Sequence, residues 1–246
     1  KEYGADPLRL WSASSKLGED LDYQEQDLIA GKKTVTKLWN ASKFVFMNLE
    51  DYNGEKPKNL EMVDKEFLQH LEYLVSTVTK SFNEYNYSIV KSNVERFFWK
   101  DFADDYIEIV KKRIYNEIGE KKQSAQYVLY QSLLTILKLF APIIPFITEE
   151  IYQIYFRKTE KEKSIHISNW PKYKEGVSPS KAFQEFKNVL SKIRQAKTNA
   201  QKSMNSEIIL ALDKKDISNL SNMLEDFRAV TNAKEIKEGK FKVEFI

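Results

Sequence analysis

The sequence predicts a mostly α-helical protein, an antiparallel helix bundle followed by a small α+β module. Few positions interrupt regular elements, because only 7 of the 246 residues are Gly and 6 are Pro. Hydrophobic residues make up 42% of the chain and aromatic residues 13%, which is enough for a well-filled core. Apolar residues recur at the helical period through most of the chain up to Phe156, with short connections between the stretches.

The first two predicted helices follow from capping and periodicity. Asp6 is an acceptable N-cap and Pro7 suits the first helical position, so a helix is expected from there to Gly18. After an acidic loop, apolar positions between Leu28 and Leu49 keep the helical period. Asn53 and Gly54 are expected to end this second helix.

The third and fourth predicted helices are the longest. Asp64 is the expected N-cap of the third, which runs to Phe82. The fourth carries a continuous apolar and aromatic stripe from Val90 to Ile114, and Gly119 is expected to stop the chain from continuing as a helix. Together they supply much of the predicted core.

Two further helices complete the predicted bundle. Ser124 is the expected cap of the fifth, which Pro142 terminates. Pro145 opens a sixth that reaches Phe156. Polar and apolar residues then alternate around Ile165–Ile167, which predicts a short strand.

A connection that follows Trp170 and Pro171 predicts a boundary before a smaller module. In that module Ser178 and Pro179 are expected to start a basic helix that reaches Ser203. The later predicted elements are a strand at 208–212, a helix at 216–230 and a strand pair at 234–237 and 240–246 that turns at Glu238 and Gly239. The predicted organisation is a leading segment 1–30, a helical domain 31–171, a linker 172–178 and an α+β module 179–246.

The residue inventory excludes several classes of chemistry. The chain has no Cys and two His, far apart at His70 and His166, so thiol nucleophiles, disulfides and the common zinc motifs are excluded. No signal-like or membrane-spanning apolar run is found, which predicts a cytoplasmic protein without membrane association. A first residue other than Met suggests a piece of a longer chain.

The second helix carries the pattern that best indicates a ligand. With 100° per residue, one side holds the core positions and the opposite side holds lysines, an amide and an aromatic ring, and no acid occurs from Lys32 to Met47. Lysines suit phosphates, an amide suits a base edge and an exposed ring suits an unstacked base, which together favour single-stranded RNA. Alternatively, Phe44 and Met47 pack against another helix. The polar side comprises Lys33, Lys37, Asn40, Phe44 and Met47, flanked by Lys32 and Lys43.

Two more segments are candidates for RNA contact. The helix expected from Pro179 to Ser203 has many basic residues and a single acid, Glu185, which is typical of a phosphate-binding surface. Its basic residues could instead fill the solvent side of a packed helix. In the aromatic run 97–106, one of Phe98 and Trp99 must diverge from the core stripe and could stack on a base.

Ordered motifs then resemble the valyl-tRNA synthetase family, in its archaeal-like form, within the Val/Ile/Leu group of class I aminoacyl-tRNA synthetases. The resemblance rests on the order of several motifs over residues 1–171, because each motif alone is not specific. The motifs are Tyr3-Gly4-Ala5-Asp6 with Arg9, Ser14-Ser15-Lys16-Leu17-Gly18-Glu19-Asp20, Lys37-Leu38-Trp39-Asn40-Ala41-Ser42-Lys43-Phe44, Phe98-Trp99 with Asp104-Asp105-Tyr106-Ile107-Glu108, and Ala141-Pro142-Ile143-Ile144-Pro145-Phe146-Ile147-Thr148-Glu149-Glu150.

The resemblance implies a helical anticodon-binding domain that binds tRNA, with tRNA(Val) expected, and that works with a catalytic domain of the same parent chain. The family's His-x-Gly-His element and Lys-Met-Ser-Lys-Ser loop do not occur in this sequence. We therefore expect no catalytic residue and no cofactor here, while the parent would use ATP and Mg, and we expect a monomer. An isoleucyl or leucyl relative and a non-enzymatic helical scaffold are the alternatives. The expected tRNA contacts are Lys33, Lys37, Asn40, Lys43, Phe44, Trp99, Lys187, Arg194 and Lys197.

Overall fold

A computed structural model describes residues 2–246, so Lys1 of the predicted leading segment lies outside the described residues. The predicted mostly α fold with a small sheet near the C-terminus is confirmed. A π-helical segment at Phe97–Tyr106 joins α4 to α5, and the strands are β1 (Ile208–Leu212), β2 (Ala233–Glu238) and β3 (Lys242–Phe245). The helices are α1 (Ala5–Ser12), α2 (Glu25–Met47), α3 (Met62–Asn83), α4 (Tyr87–Arg96), α5 (Ile107–Asn116), α6 (Glu120–Phe140), α7 (Pro145–Tyr155), α8 (Arg157–Glu160), α9 (Lys181–Asn199), α10 (Lys214–Leu220) and α11 (Leu224–Thr231).

Helix α1 lies against α2 and is shorter than predicted, because it ends at Ser12 and not at Gly18. Gly31 makes the close approach possible, since a Cβ there would lie 3.1 Å from Cα of Pro7. The predicted role of Asp6 is wrong. Its carboxylate accepts the backbone N–H of Ile147 at 2.7 Å, so it caps the first turn of α7 and not that of its own helix.

The predicted cap roles of Asp64 and Ser124 are also wrong, because both residues lie inside their helices. Asp64 lies inside the first turn of α3, fully buried, and accepts hydrogen bonds from Arg113 at 2.7 Å and Tyr106 at 2.6 Å. Ser124 lies inside α6, donates to Asp64 and accepts the backbone N–H of Glu61 at 2.9 Å. Both side chains join helices that are far apart in sequence, which satisfies their polar atoms in the core.

The predicted fourth helix runs from residue 87 to 116 without a break, but its centre is π-helical. The N–H of Ile107 bonds to the carbonyl of Phe102, five residues earlier, as the wider π turn requires. The buried residues of the segment are Phe97, Phe98, Asp101, Phe102 and Tyr106. Their spacing of four to five residues matches this wider turn, which keeps the aromatic rings on the core side.

Helix α6 begins at Glu120, before the predicted cap Ser124, and ends at Phe140 just before Pro142, and Pro145 is the first residue of α7. The strand predicted at Ile165–Ile167 is wrong, because this segment forms a 3₁₀ turn. The side chain of Ser164 accepts the N–H of His166 at the start of the turn, so a local hydrogen bond replaces a strand partner.

The C-terminal part contains α9 and a three-stranded sheet. The hydroxyl of Ser180 caps α9 and accepts the N–H of Phe183 at 2.9 Å, so the helix begins slightly later than predicted. Strand β1 has the predicted bounds, and it lies in the centre of the order β2-β1-β3. It is parallel to β2 and antiparallel to β3.

Two predictions for this part are therefore corrected. The predicted strand pair is not a hairpin, because β2 and β3 lie on opposite sides of β1, and the N–H of Gly239 bonds to the carbonyl of Leu212 at 2.8 Å as the chain crosses the end of β1. The helix predicted at 216–230 is divided into α10, a 3₁₀ turn at Ser221–Met223 and α11.

The C-terminal elements pack directly on the bundle. The ring centroids of Phe67 on α3 and Phe183 on α9 lie 5.2 Å apart, and Arg113 of α5 donates to Asp226 of α11 at 2.7 Å. Burial raises the pKa of the Asp226 carboxyl to about 6. The buried hydrophobic residues of both parts form one cluster. Among residues 2–246, no helix combines the length and the apolar character needed to cross a membrane.

Candidate nucleic-acid interface

A groove of about 600 Å³ separates the polar side of α2 from the π segment and α5. Small and apolar side chains form its floor, and lysines from both helices form its rim. This is the arrangement that the pattern of the second helix predicted for one wall, while α5 supplies the other wall. The lining residues are Ile29, Lys32, Lys33, Thr36, Lys37, Asn40, Ala41, Phe44, Ala103, Ile107, Glu108 and Lys111.

The predicted residues of α2 fall on this groove or beside it. Lys33 and Asn40 are exposed and line it, and Lys43 is exposed outside the lining. Phe44 is half-buried, lines the groove and meets the ring of Tyr115 edge-on with centroids 6.5 Å apart. The ring therefore takes part in helix packing and also borders the groove.

Lys37 has internal partners although it also lines the groove. Its Nζ lies 2.7 Å from Oδ1 of Asp104 and 3.9 Å from the ring centroid of Trp99. Partial burial opposes ionisation of Asp104, but Lys37 and Lys100 donate to the carboxylate and hold its pKa below the ordinary value. This ion pair joins α2 to the π segment and fixes one wall of the groove.

Trp99 lies behind this pair and outside the groove lining. Its Nε1–H donates to the hydroxyl of Thr34 at 3.1 Å, and the ring is partly buried against the core. Because the ammonium of Lys37 already lies against its ring, Trp99 offers less surface for a base than its place in the sequence suggested.

Two of the predicted basic residues of α9 face aspartates of the π segment. Lys187 pairs with Asp101, which also lies 3.3 Å from Nε2 of His70. Arg194 donates to Asp105 at 2.5 Å and to the backbone carbonyl of Asp104 at 2.9 Å. These contacts neutralise both side chains within the protein.

Lys197 is buried, with 1% of its surface exposed. Its ammonium donates to three backbone carbonyls, those of Met204 at 2.7 Å, Ser206 at 2.9 Å and Thr231 at 2.8 Å. Burial also lowers the pKa of this lysine. A lysine with all three donors used is structural, so the structure gives Lys197 the task of holding the chain beyond α9 against α11.

A second groove of about 720 Å³ lies on the other side of α5, towards α9 and α11, and shares Ala103, Glu108 and Lys111 with the first. The exposed ridge of α5 between the two grooves contains Lys111 and Lys112, which the sequence interpretation did not single out. A helical wheel of residues 107–116 places Lys111 and Tyr115, four residues apart, on one face, but it does not show that this face lies opposite α2.

Comparisons with known proteins agree with this architecture. A family model described as the anticodon-binding domain of tRNA ligase matches residues 64–214. The chain is 39% identical over 242 residues to a valine–tRNA ligase of Ehrlichia canis (strain Jake), which covers 94% of this chain and 29% of that protein. It is 36% identical over 266 residues to a valine–tRNA ligase of Rickettsia conorii, and the match covers 100% of this chain and 32% of that protein.

An archaeal relative is similar over a shorter region. The valine–tRNA ligase of Pyrococcus horikoshii is 33% identical over 221 residues, which covers 86% of this chain and 25% of that protein. The chain thus spans about 30% of the length of the curated relatives it matches. Among solved structures, the Agrobacterium radiobacter K84 agnB2 LeuRS, in a ternary complex with tRNA and LeuAMS, matches this chain with a TM-score of 0.51 at 13% identity. The match covers 99% of this chain and 29% of that one, and it supports the fold alone.

Proposed function

The chain belongs to the family of anticodon-binding domains of tRNA ligases, and on this premise we propose that it binds the anticodon arm of a tRNA. The groove between α2 and α5 is the proposed site. The observation that carries the proposal is the combination of an apolar floor, a ring that borders the groove and lysines on both rims. Unpaired RNA bases require such a floor, and their phosphates require such a rim.

Each side chain of the groove then has a role that fits its exposure. Lys32 and Lys33 of α2 and Lys111 of α5 contact phosphates from opposite rims. Asn40 offers a donor and an acceptor to a base edge, and Phe44 stacks on a base. Lys43 adds charge just outside the groove.

Other predicted residues support the site from behind. Lys37 and Trp99 hold the wall between α2 and the π segment through the contact with Asp104. Lys187 and Arg194 bind Asp101 and the 104–105 turn from the side of α9. In this proposal these side chains set the position of the π segment, and RNA phosphates meet the lysines that remain in solvent.

The parent activity proposed for the chain is that of a valine–tRNA ligase, which joins valine to tRNA(Val) with ATP and Mg. The valine–tRNA ligases of Ehrlichia, Rickettsia and Pyrococcus support this assignment over an isoleucine or leucine enzyme. Tight binding of the anticodon arm would orient the acceptor end in the catalytic domain of the parent chain. A cytoplasmic monomer is the proposed state.

Filter binding to valine, isoleucine and leucine tRNAs at two salt concentrations tests this function. We expect preference for tRNA(Val) and a steep loss of affinity with added salt, because several phosphates are contacted. Weak binding that is equal for the three tRNAs and insensitive to salt would instead support an interaction scaffold. A strong preference for the isoleucine or leucine tRNA would change the amino acid assigned to the parent enzyme, but the assignment as an anticodon-binding domain would stay.

Phe44→Ala tests the proposed contact in the groove. We expect tRNA affinity to fall about 5- to 150-fold, since stacking of a base on an aromatic ring contributes about 1–3 kcal/mol. Phe146→Ala is the matched control, because Phe146 is 65% exposed and lies outside the groove lining. Unchanged affinity of the Phe44 variant, with a folded domain by circular dichroism, would remove this ring from the site.

A further inference from the structure

We propose that Tyr115 is a second base-stacking platform, which receives the nucleotide next to the one bound at Phe44. This inference rests on the proposed function and extends it from one unpaired base to two. Tyr115 lies in the last turn of α5, and 61% of its surface is exposed. Its ring meets that of Phe44 edge-on, which leaves much of the Tyr115 ring in solvent.

The relative orientation of the two rings determines what they can bind. Their centroids are 6.5 Å apart and their planes differ by 81°. Consecutive bases in a duplex strand are separated by about 3.4 Å and stack on each other, so they cannot occupy both rings. Two bases that stack separately on Phe44 and Tyr115 must be splayed apart, which selects an unpaired segment of RNA.

The charge around Tyr115 favours a polyanion as the occupant. Lys111 lies one helical turn before Tyr115 on the same face, and its Nζ is 5.7 Å from the ring centroid of Phe44. Lys43 directly precedes Phe44 on α2, Lys112 lies three residues before Tyr115 on α5, and both are exposed. The single acid of the groove lining, Glu108, is 2.5 Å from the ammonium of Lys111. Glu108 offsets part of the charge of Lys111, so the exposed cations for a phosphate backbone at these rings are Lys43 and Lys112.

Two further apolar side chains that follow these rings in sequence are exposed. Met47 lies one turn beyond Phe44 on α2 and is 70% exposed, and Ile118 follows the end of α5 with 89% exposed. Exposed apolar side chains with lysines beside them suit the faces of bases with phosphates at the edges. A protein partner is the alternative occupant, and RNA affinity that is unchanged in the Tyr115→Ala variant would favour it.

The test uses an anticodon stem-loop RNA that carries 2-aminopurine at one loop position at a time. For Tyr115→Ala we expect about tenfold weaker binding and loss of the fluorescence quench at one position. Phe44→Ala should lose the quench at the adjacent position. Tyr115→Phe keeps the ring, so its affinity should stay within about twofold of the unmodified protein, as base stacking requires.

Tyr23→Ala is the matched control, because Tyr23 is 60% exposed and has a similar edge-on contact with Trp11 at 5.8 Å. Affinity and quench that survive Tyr115→Ala while Phe44→Ala weakens binding would overturn the second platform and leave the proposed function intact. Equal losses for Tyr115→Phe and Tyr115→Ala would overturn stacking in favour of a hydroxyl contact. Insensitivity to all substitutions at Phe44 and Tyr115 would overturn both the platform and the groove as the RNA site.

Discussion

Helices α2 and α9 each carry many basic residues and few acids, yet the structure uses their charges differently. On α2, Lys32, Lys33 and Lys43 are exposed, and the first two line an open groove. On α9, Lys187 pairs with a buried aspartate and Lys197 donates to three carbonyls. A count of charges along a helix therefore does not show whether they are available to a ligand.

The difference arises from what lies opposite each helix. Three aspartates of the π segment, Asp101, Asp104 and Asp105, are held by basic residues of neighbouring helices. Helix α9 faces this segment, whereas most of the polar side of α2 faces solvent across the groove. Lys37 is the exception on α2, because it reaches Asp104. Availability of a lysine is thus a property of the tertiary neighbours and of the distance to their carboxylates.

The largest effect is expected on the side of α5 that faces α11. Arg113→Met should lower the free energy of unfolding by about 3–5 kcal/mol, because it leaves the buried carboxylates of Asp64 and Asp226 without their partner. Urea denaturation measures the change. Lys112→Met is the control, since this exposed neighbour should change stability by less than about 0.5 kcal/mol. Similar values for the two variants would show that the buried pair is dispensable.

A smaller effect on stability should distinguish Lys197 from the exposed lysines of its own helix. Lys197→Met removes the donor for three carbonyls and should lower the free energy of unfolding by about 2–3 kcal/mol. Thermal denaturation compared with Lys192→Met, an exposed position on α9, measures this. If tRNA affinity of the folded Lys197 variant fell while stability did not, Lys197 would return to the RNA site.

The smallest expected effect tests the comparison of the helices directly. The double variant Lys32→Ala and Lys33→Ala should reduce the slope of log affinity against log salt by about 1.4, since each lost contact with single-stranded phosphate contributes about 0.7. The matched double variant Lys187→Ala and Arg194→Ala should leave the slope unchanged, because internal aspartates hold both side chains. Equal reductions would mean that phosphates displace these aspartates, and the two helices would then be equivalent.

The sequence predicted the helices well because their apolar periodicity is local. It misplaced caps at Asp6, Asp64 and Ser124 for one physical reason. A capping side chain accepts whichever N–H the tertiary structure brings close. Asp6 accepts the N–H of Phe146 at the start of α7, 140 residues later in the sequence. Local residue patterns do not contain that information.

The sheet and the site show the same limit. Two short segments with a turn at Glu238 and Gly239 between them predicted a strand pair, but β2 and β3 each pair with β1 and not with each other. For the groove, one helical wheel predicted the wall on α2, including Asn40 and Phe44. The wall on α5 was missed because nothing in the sequence shows that Lys111 lies opposite Lys33.

The length of the π segment determines the direction in which the side chains of α5 point. A helix is a screw, so the number of residues wound before a given position determines the direction in which that position points. If one residue were removed from Phe97–Tyr106, each later position would turn by roughly 100°, which would carry Lys111 off the groove, Tyr115 away from Phe44 and Arg113 away from Asp64. The length of this segment is therefore as constrained as its composition, and insertions or deletions are expected in the loops on either side of the 87–116 helix.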